Sequence, residues 1–247
     1  MNSVFYDNTA LSNTATEGFA FISRIDSTSN PSGTPSPASY QGSSPIVLHS
    51  DTTNGRYRFW SYLNSGWRKI GDSIKEEKIW IPAAGVNGTT VGTMWDLPTS
   101  SPATPTASNG SNVHKGVLRF ADTGGELSAQ TTMYLPSDFT GAIDVNIIWL
   151  TSATSGNCKW NVATAFTACD STATDDPSFN SPSTVTTAAA GVANRITTSS
   201  ITGVVATNSG ANKLMHLKIS RNGGDVSDTI TAAADLIGVE VTIRRTI

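Results

Sequence analysis

The sequence predicts an all-β protein, with a small N-terminal β-meander and extended arm followed by an antiparallel jelly-roll-like β-sandwich. Three observations predict this class. Charged residues make up only 14% of the 247 residues, against about 25% in typical soluble domains, and the Ser, Thr, Asn and Gly that replace them suit strands and turns. The dipeptide Asn54-Gly55 is a strong hairpin signal. From Ile79 onward, about ten short strand candidates alternate with turn residues.

Residues 1–44 are predicted to form an extended arm. The stretch Asp26–Pro45 contains several prolines, which disfavour a helix or an interior strand. The N-terminus lacks the basic and apolar regions of a signal peptide. No apolar run in the chain approaches the ~18 residues of a membrane span. We therefore expect neither a secretory signal nor membrane insertion.

The meander is predicted from three short strands, PIVLHSD, RYRFWSYL and WRKI, which are separated by turn residues. On the middle strand, Tyr57, Phe59 and Leu63 are expected on one face, and Trp60 and Tyr62 on the other. Both faces are therefore aromatic. Because a three-stranded sheet can bury one face on the arm at best, the second face requires another subunit, a larger assembly or a ligand.

Residues 79–247 predict one sandwich domain. Apolar residues alternate cleanly in two of its strand candidates, at Leu217 and Ile219 and again at Val239 and Val241. The Ala-rich segment Thr231–Gly238 is the best candidate for a helical turn. No repeat of 20–50 residues indicates a solenoid or propeller.

The sequence carries no catalytic signature, so we expect no enzyme activity, no cofactor and no metal. No G-x-S-x-G motif occurs. Neither His114 nor His216 can be placed beside a partner group. Asp175 and Asp176 precede Pro177 and are typical of a turn rather than of a glycosidase carboxylate pair.

Two groups of residues have more than one interpretation. Arg221, Asp225 and Asp228 could form a loop-fixing ion pair, or the two carboxylates could bind calcium. The ion pair is favoured because calcium loops usually supply more oxygens at tighter spacing. Cys158 and Cys169 could bridge two adjacent strands or remain two thiols. They do not predict a zinc site, which needs four ligands.

The aromatic residues suggest a glycan partner, and the charge balance argues against nucleic acid. Trp95 and Trp160 are candidates for glycan contact, because an aromatic ring matches the apolar face of a sugar. Trp149 lies in an apolar run and is expected in the core. The net charge is -3 and no Lys/Arg cluster stands out, so nucleic acid is not an expected partner.

Two parts of the chain resemble known proteins. Ser50–Asp72 is similar to a meander found near the N-termini of many tailed-phage fibre and appendage proteins: an Asn-Gly-Arg turn, an aromatic strand, a short turn and a Trp. Leu118–Ser152 and Leu217–Arg244 resemble a β-sandwich common in phage virion proteins, in which an acidic residue (Glu126 here) precedes a strand ending in Leu-Pro. The closing pattern of that sandwich is matched by Arg221, Asp225, Asp228, Thr229, Ala234, Leu236, Gly238 and Val239.

The resemblance implies a non-enzymatic virion component on the particle surface, commonly trimeric, as a tail fibre or spike or as a capsid decoration. On this interpretation, residues 1–74 anchor and oligomerise, and residues 79–247 are displayed. The expected partners are two further copies of the chain, capsid or tail proteins gripped by the arm, and a host-surface glycan. The expected assembly residues are Tyr57, Phe59, Trp60, Tyr62 and Trp67.

Two other classes of function stay open. A carbohydrate-binding module would behave as a monomer and bind a polysaccharide in a pull-down. A glycan-cleaving enzyme would lose activity on a host polymer when Asp176 or Glu126 is substituted. The enzyme is the less favoured of the two, because no carboxylate pair can be placed.

Overall fold

The computed structural model describes ten stretches of the chain. These form two compact units, Met1–Lys75 with Thr246–Ile247, and Glu76–Arg245. The described residues contain no helix, so none of them forms a helix able to cross a membrane. The described residues are 6–7, 19–20, 23–32, 46–53, 55–63, 66–87, 90–109, 112–170, 173–204 and 209–246.

The first unit contains the predicted meander. Its strands β4, β5 and β6 pair antiparallel, and β3 joins β4 in parallel. The loop between β4 and β5 follows the Asp51–Arg56 pair, and Gly55 in it has a φ of 61°, which favours glycine. Asn54 lies outside the described residues. The strands are β1 (Tyr6–Asp7), β2 (Phe19–Ala20), β3 (Ser23–Ser27), β4 (Ile46–Asp51), β5 (Arg56–Leu63) and β6 (Gly66–Asp72).

The second unit is the predicted sandwich. Its two main sheets contain ten strands, β7 and β10 to β18, of which the eight from β11 to β18 follow one another in the chain. The strands are β7 (Ile74–Pro82), β8 (Gly85–Asn87), β9 (Thr90–Gly92), β10 (Thr104–Asn109), β11 (His114–Phe120), β12 (Glu126–Tyr134), β13 (Ile143–Thr151), β14 (Asn157–Ala168), β15 (Ser183–Ala188), β16 (Thr197–Val204), β17 (Lys213–Asn222) and β18 (Ala234–Thr246).

The order of these strands confirms a jelly roll. One sheet has the order β10-β11-β18-β13-β16, with β7 also paired to β18, and the other has the order β12-β17-β14-β15. Counted from β11, the two orders read 1-8-3-6 and 2-7-4-5. Each sheet thus takes strands from both halves of the unit, as two interlocked Greek keys require. Within these sheets the described pairs are antiparallel.

The core lies between the two sheets. Trp149 from β13 and Trp160 from β14 are fully buried, and their ring centroids are 6.0 Å apart at 65°. Phe120 packs edge-on against Trp160 at 5.0 Å. The edge-to-face geometry is favourable for aromatic pairs, and these three rings join strands of opposite sheets. Trp149 therefore lies in the core, as predicted.

The first and last strands of the second unit meet. Arg245 near the end of β18 donates to Glu77 in β7 at 2.8 Å and to Asp138 at 2.8 Å. Its neighbour Arg244 lies 3.7 Å from Glu76 and 2.6 Å from Asp144. The pairs with Glu76 and Glu77 thus link the start of the unit to its end.

The structure corrects the expected helical turn at Thr231–Gly238. Strand β18 begins at Ala234, which with Leu236 is fully buried. Both residues pair with β11 on one side and β13 on the other. Ladder hydrogen bonds and burial thus override the helix propensity of the three alanines, which is only a weak preference.

The structure also resolves the alternatives for the cysteines. Cys158 lies near the start of β14 and Cys169 immediately follows its end. Eleven residues of one extended strand separate their Cα atoms by about 36 Å, whereas a disulfide needs a separation below about 7 Å. Both are free thiols, with Cys158 buried and Cys169 exposed.

Candidate functional site

The sheet of the first unit has one face that stays partly open. Tyr57 and Phe59 on β5 are 47% and 40% exposed, and Ile46 on β4 is 47% exposed. The strand register puts Leu48 opposite Phe59 and Ile46 opposite Ser61, so these apolar side chains share one side of the sheet. We call Ile46, Leu48, Tyr57 and Phe59 the apolar face.

The opposite face of the same sheet is covered. Tyr62 is 5% exposed and packs edge-on against Trp67 at 5.4 Å, and Trp60 is half-buried. Arg58, also on this side, bonds Asp51 and Asn30, each at 3.1 Å. Asn30 follows β3 in the chain, so a segment of the arm covers this face.

The structure therefore divides the five predicted assembly residues. Trp60, Tyr62 and Trp67 lie on the covered face, and only Tyr57 and Phe59 remain on the open one. The side chain of Leu63 lies outside the described residues. The five side chains consequently do not form one surface, and any assembly contact made by this sheet rests on the apolar face.

Arg221 and Asp228 form a fully buried ion pair in the second unit. Nε and Nη2 of Arg221 donate to the two carboxylate oxygens of Asp228 at 2.9 and 2.8 Å. The remaining donors of the guanidinium reach the carbonyls of Phe120, Ile230 and Ala232, each at 2.9 Å. All five N–H groups of the side chain thus have acceptors, and the pair fixes the loop before β18.

Asp225 lies apart from this pair. Its Oδ2 accepts a 2.6 Å bond from Lys159 Nζ, and its Oδ1 accepts from the backbone of Ser227. The bond from Lys159 is the main cause that holds the pKa of Asp225 below its ordinary value. The two carboxylates that could have bound calcium are thus each paired with a cation, Asp228 with Arg221 and Asp225 with Lys159. The described residues contain no group of three metal-ligating side chains.

The two tryptophans predicted to contact glycan are buried, which is a correction. Trp160 is fully enclosed between the sheets, and Trp95 is 3% exposed. Nε1 of Trp95 donates to the Pro82 carbonyl at 2.9 Å. A ring enclosed in this way cannot stack on a sugar.

A tryptophan that the sequence reasoning missed lies on the surface instead. Trp80 on β7 is 49% exposed. Its neighbours Ile79 and Ile81 pack against the core, so alternation turns Trp80 outward. That alternation was readable in the sequence IWIP and could have identified the residue.

The structure places the remaining sequence candidates on different elements of the second unit. His216 lies on the outer side of β17 between Thr132 and Thr167, with each ring nitrogen 3.0 Å from a hydroxyl. His114 is exposed at the start of β11. Glu126 lies 3.3 Å from Lys218, and Asp176 is exposed in the β14–β15 loop.

No protein-family model and no curated protein matches the chain. Among solved structures, the chain aligns with the CBM22-1 xylan-binding domain from Paenibacillus barcinonensis Xyn10C at 10% identity and a TM-score of 0.34, covering 68% of this chain and 98% of that one. It aligns with a non-crystalline cellulose specific carbohydrate-binding module, CBM28, at 8% identity and a TM-score of 0.32, covering 62% and 87%. A third alignment is with the enzymatically active domain of Bacteriophage CBA120 tailspike protein 4, at 12% identity and a TM-score of 0.26, covering 71% and 19%. Each of these TM-scores is below 0.5, and each identity is below 25%.

Proposed function

We propose that the chain is a non-enzymatic structural subunit of a phage virion, a homotrimeric surface appendage of the tail or capsid. The first unit assembles the trimer and holds other virion proteins through its arm. The second unit is the displayed part. The observation that carries the proposal is the apolar face, which remains exposed on a sheet whose other face is covered.

The apolar face suits another copy of itself. It combines aliphatic and aromatic side chains, the kinds of group that interfaces bury at their centre. The strand register also puts the exposed Arg68 of β6 on this side, beside Ser61. The exposed parts of Tyr57 and Phe59 amount to roughly 170 Å² per subunit. Burying that area is worth about 4 kcal/mol per subunit before ordering costs. Three subunits around an axis would share this gain.

The experiment is the solution mass of the full chain by light scattering. We compare it with the double variant Tyr57→Ser/Phe59→Ser and with the control Tyr134→Ser, which removes another half-exposed aromatic ring from the second unit. We expect trimers for the full chain and the control, and monomers with an unchanged circular dichroism spectrum for the double variant. A monomeric full chain, or a double variant that remains trimeric, would overturn the proposal.

A further inference from the structure

The outer side of the six-stranded sheet carries a compact group of polar side chains around Trp80. Strand β7 supplies Lys78 and Trp80, and β18 supplies Gly238 and Glu240. Strand β13 supplies Asn146, which is paired directly with Glu240. We call these five residues the Trp80 surface. All belong to the second unit.

The indole of Trp80 rests on the backbone of the neighbouring strand. A Cβ placed on Gly238 would lie 2.5 Å from Cη2 and Cζ2 of the indole, closer than side-chain atoms approach one another. The glycine therefore makes the room in which the ring lies. With the strand beneath it and 49% of the residue exposed, the indole offers an apolar surface to solvent.

Polar groups of both hydrogen-bonding types lie beside this ring. Oε1 of Glu240 accepts from Lys78 Nζ at 2.8 Å and from Asn146 Nδ2 at 3.0 Å. Both bonds end on Oε1, and Oε2 takes part in neither of them. The bonds from Lys78 and then Asn146 hold the pKa of Glu240 below its ordinary value. The ionised carboxylate is an acceptor of hydrogen bonds.

This arrangement fits a carbohydrate. A pyranose ring has an apolar C–H face edged by hydroxyl groups that both donate and accept hydrogen bonds. The indole matches the face, while carboxylate, amide and ammonium groups match the hydroxyls. Glu240 is two residues beyond Gly238 on β18, about 7 Å along the strand, a distance that one sugar ring with its hydroxyl groups can bridge.

A protein partner fits the Trp80 surface less well. The exposed part of Trp80 is roughly 120 Å², whereas a stable protein interface covers about 800 Å² on each partner. A Lys–Glu pair borders the ring on one side, and the half-buried Ile148, opposite Gly238, is the large apolar neighbour that the register places beside it. A small polar ligand with one apolar face is the better match.

We propose that the Trp80 surface binds a sugar residue of a polysaccharide, with the indole of Trp80 stacked on the sugar and with Glu240 and Asn146 bonding its hydroxyls. This inference names a partner for the unit that the proposed function displays. It does not depend on the trimer, because every residue of the surface comes from one unit of one chain.

The test uses the full chain on an array of immobilised bacterial surface polysaccharides and plant and fungal polysaccharides. The variants are Trp80→Ala, Trp80→Phe and Glu240→Gln, and the control is Tyr134→Ala, which removes a 54% exposed ring from the other sheet. We expect the full chain and the control to bind at least one polysaccharide. Trp80→Ala should weaken that binding by about tenfold or more, and Trp80→Phe should restore part of it.

The outcomes separate this inference from the proposed function. Binding to none of the polysaccharides, or equal binding by Trp80→Ala and the full chain, would overturn the site. If Tyr134→Ala lost as much binding as Trp80→Ala, the loss would not be specific to Trp80, and the proposed site would also be overturned. Solution mass is measured on the same samples: a monomer that binds through Trp80 refutes only the trimer, and a trimer that does not bind refutes only the sugar site.

Discussion

Replacing Asp228 with alanine should destabilise the second unit strongly. The substitution removes both bonds to Arg221 and a third, 3.0 Å bond from the Lys159 backbone. It leaves a guanidinium with a fully buried side chain and without the carboxylate that it pairs with. Breaking a buried pair in this way costs about 3–5 kcal/mol. The unfolded fraction of the unit should therefore rise by about two to four orders of magnitude.

Hydrogen exchange measured by mass spectrometry across a urea series follows this unit separately from the first one. The β13 peptide, Ile143–Thr151, is a suitable reporter because it lies in the core sheet and contains none of the substituted residues. Asp225→Ala is the matched control: it removes another paired carboxylate from the same loop, but one that is partly exposed. We expect Asp225→Ala to shift the urea dependence of exchange much less, because solvent screens partly exposed ion pairs.

The comparison can refute the reasoning. If Asp228→Ala and Asp225→Ala shift the urea dependence of the β13 peptide equally, the buried pair contributes no more than a surface pair. Asp228→Asn adds a further check, since it preserves the shape of the side chain but removes the charge. It should lie between the wild type and Asp228→Ala.

Two further predictions concern single groups. Cys169 should react quickly with a thiol reagent at pH 8, and Cys158 only after unfolding. The reason is that burial encloses the Cys158 thiol and raises its pKa. Equal reaction rates in the Cys158→Ser and Cys169→Ser variants would contradict this. The bond from Lys159 lowers the pKa of Asp225 in the folded state, so its contribution to stability should be complete above its ordinary value of 3.8 and lost as the pH falls through the lower folded value. Unfolding of the wild type and Asp225→Asn, measured from pH 6 to pH 2, should therefore differ at the upper end and converge at the lower end.

Local patterns in the sequence were sufficient to predict the meander and the sandwich. Alternating residues such as Leu217 and Ile219 are fully buried in β17, because a strand with one face on a core shows a period of two. The same rule applied to Trp160 would have grouped it with Val162, which is also fully buried. Its assignment as a surface residue was therefore an avoidable error.

Other features could not be predicted from local pattern. Trp95 lies outside the strands, and its burial depends on contacts such as the Pro82 carbonyl that only the folded chain provides. The bulge opposite Ile148 and Trp149 shifts the β18 register and decides that Gly238 lies under Trp80. Bulges and partner strands are long-range properties, so the Trp80 surface depends on tertiary structure that the sequence does not display.

The meeting of Glu77 with Arg245 has a consequence for how such proteins change. A folded body whose entry and exit lie side by side can be removed, and another body with the same spacing inserted, without stretching the chain that carries it. Recombination between related genes could then exchange one sandwich for another while leaving the first unit intact. Under the proposed function, such an exchange would change the displayed unit and leave the first unit unchanged.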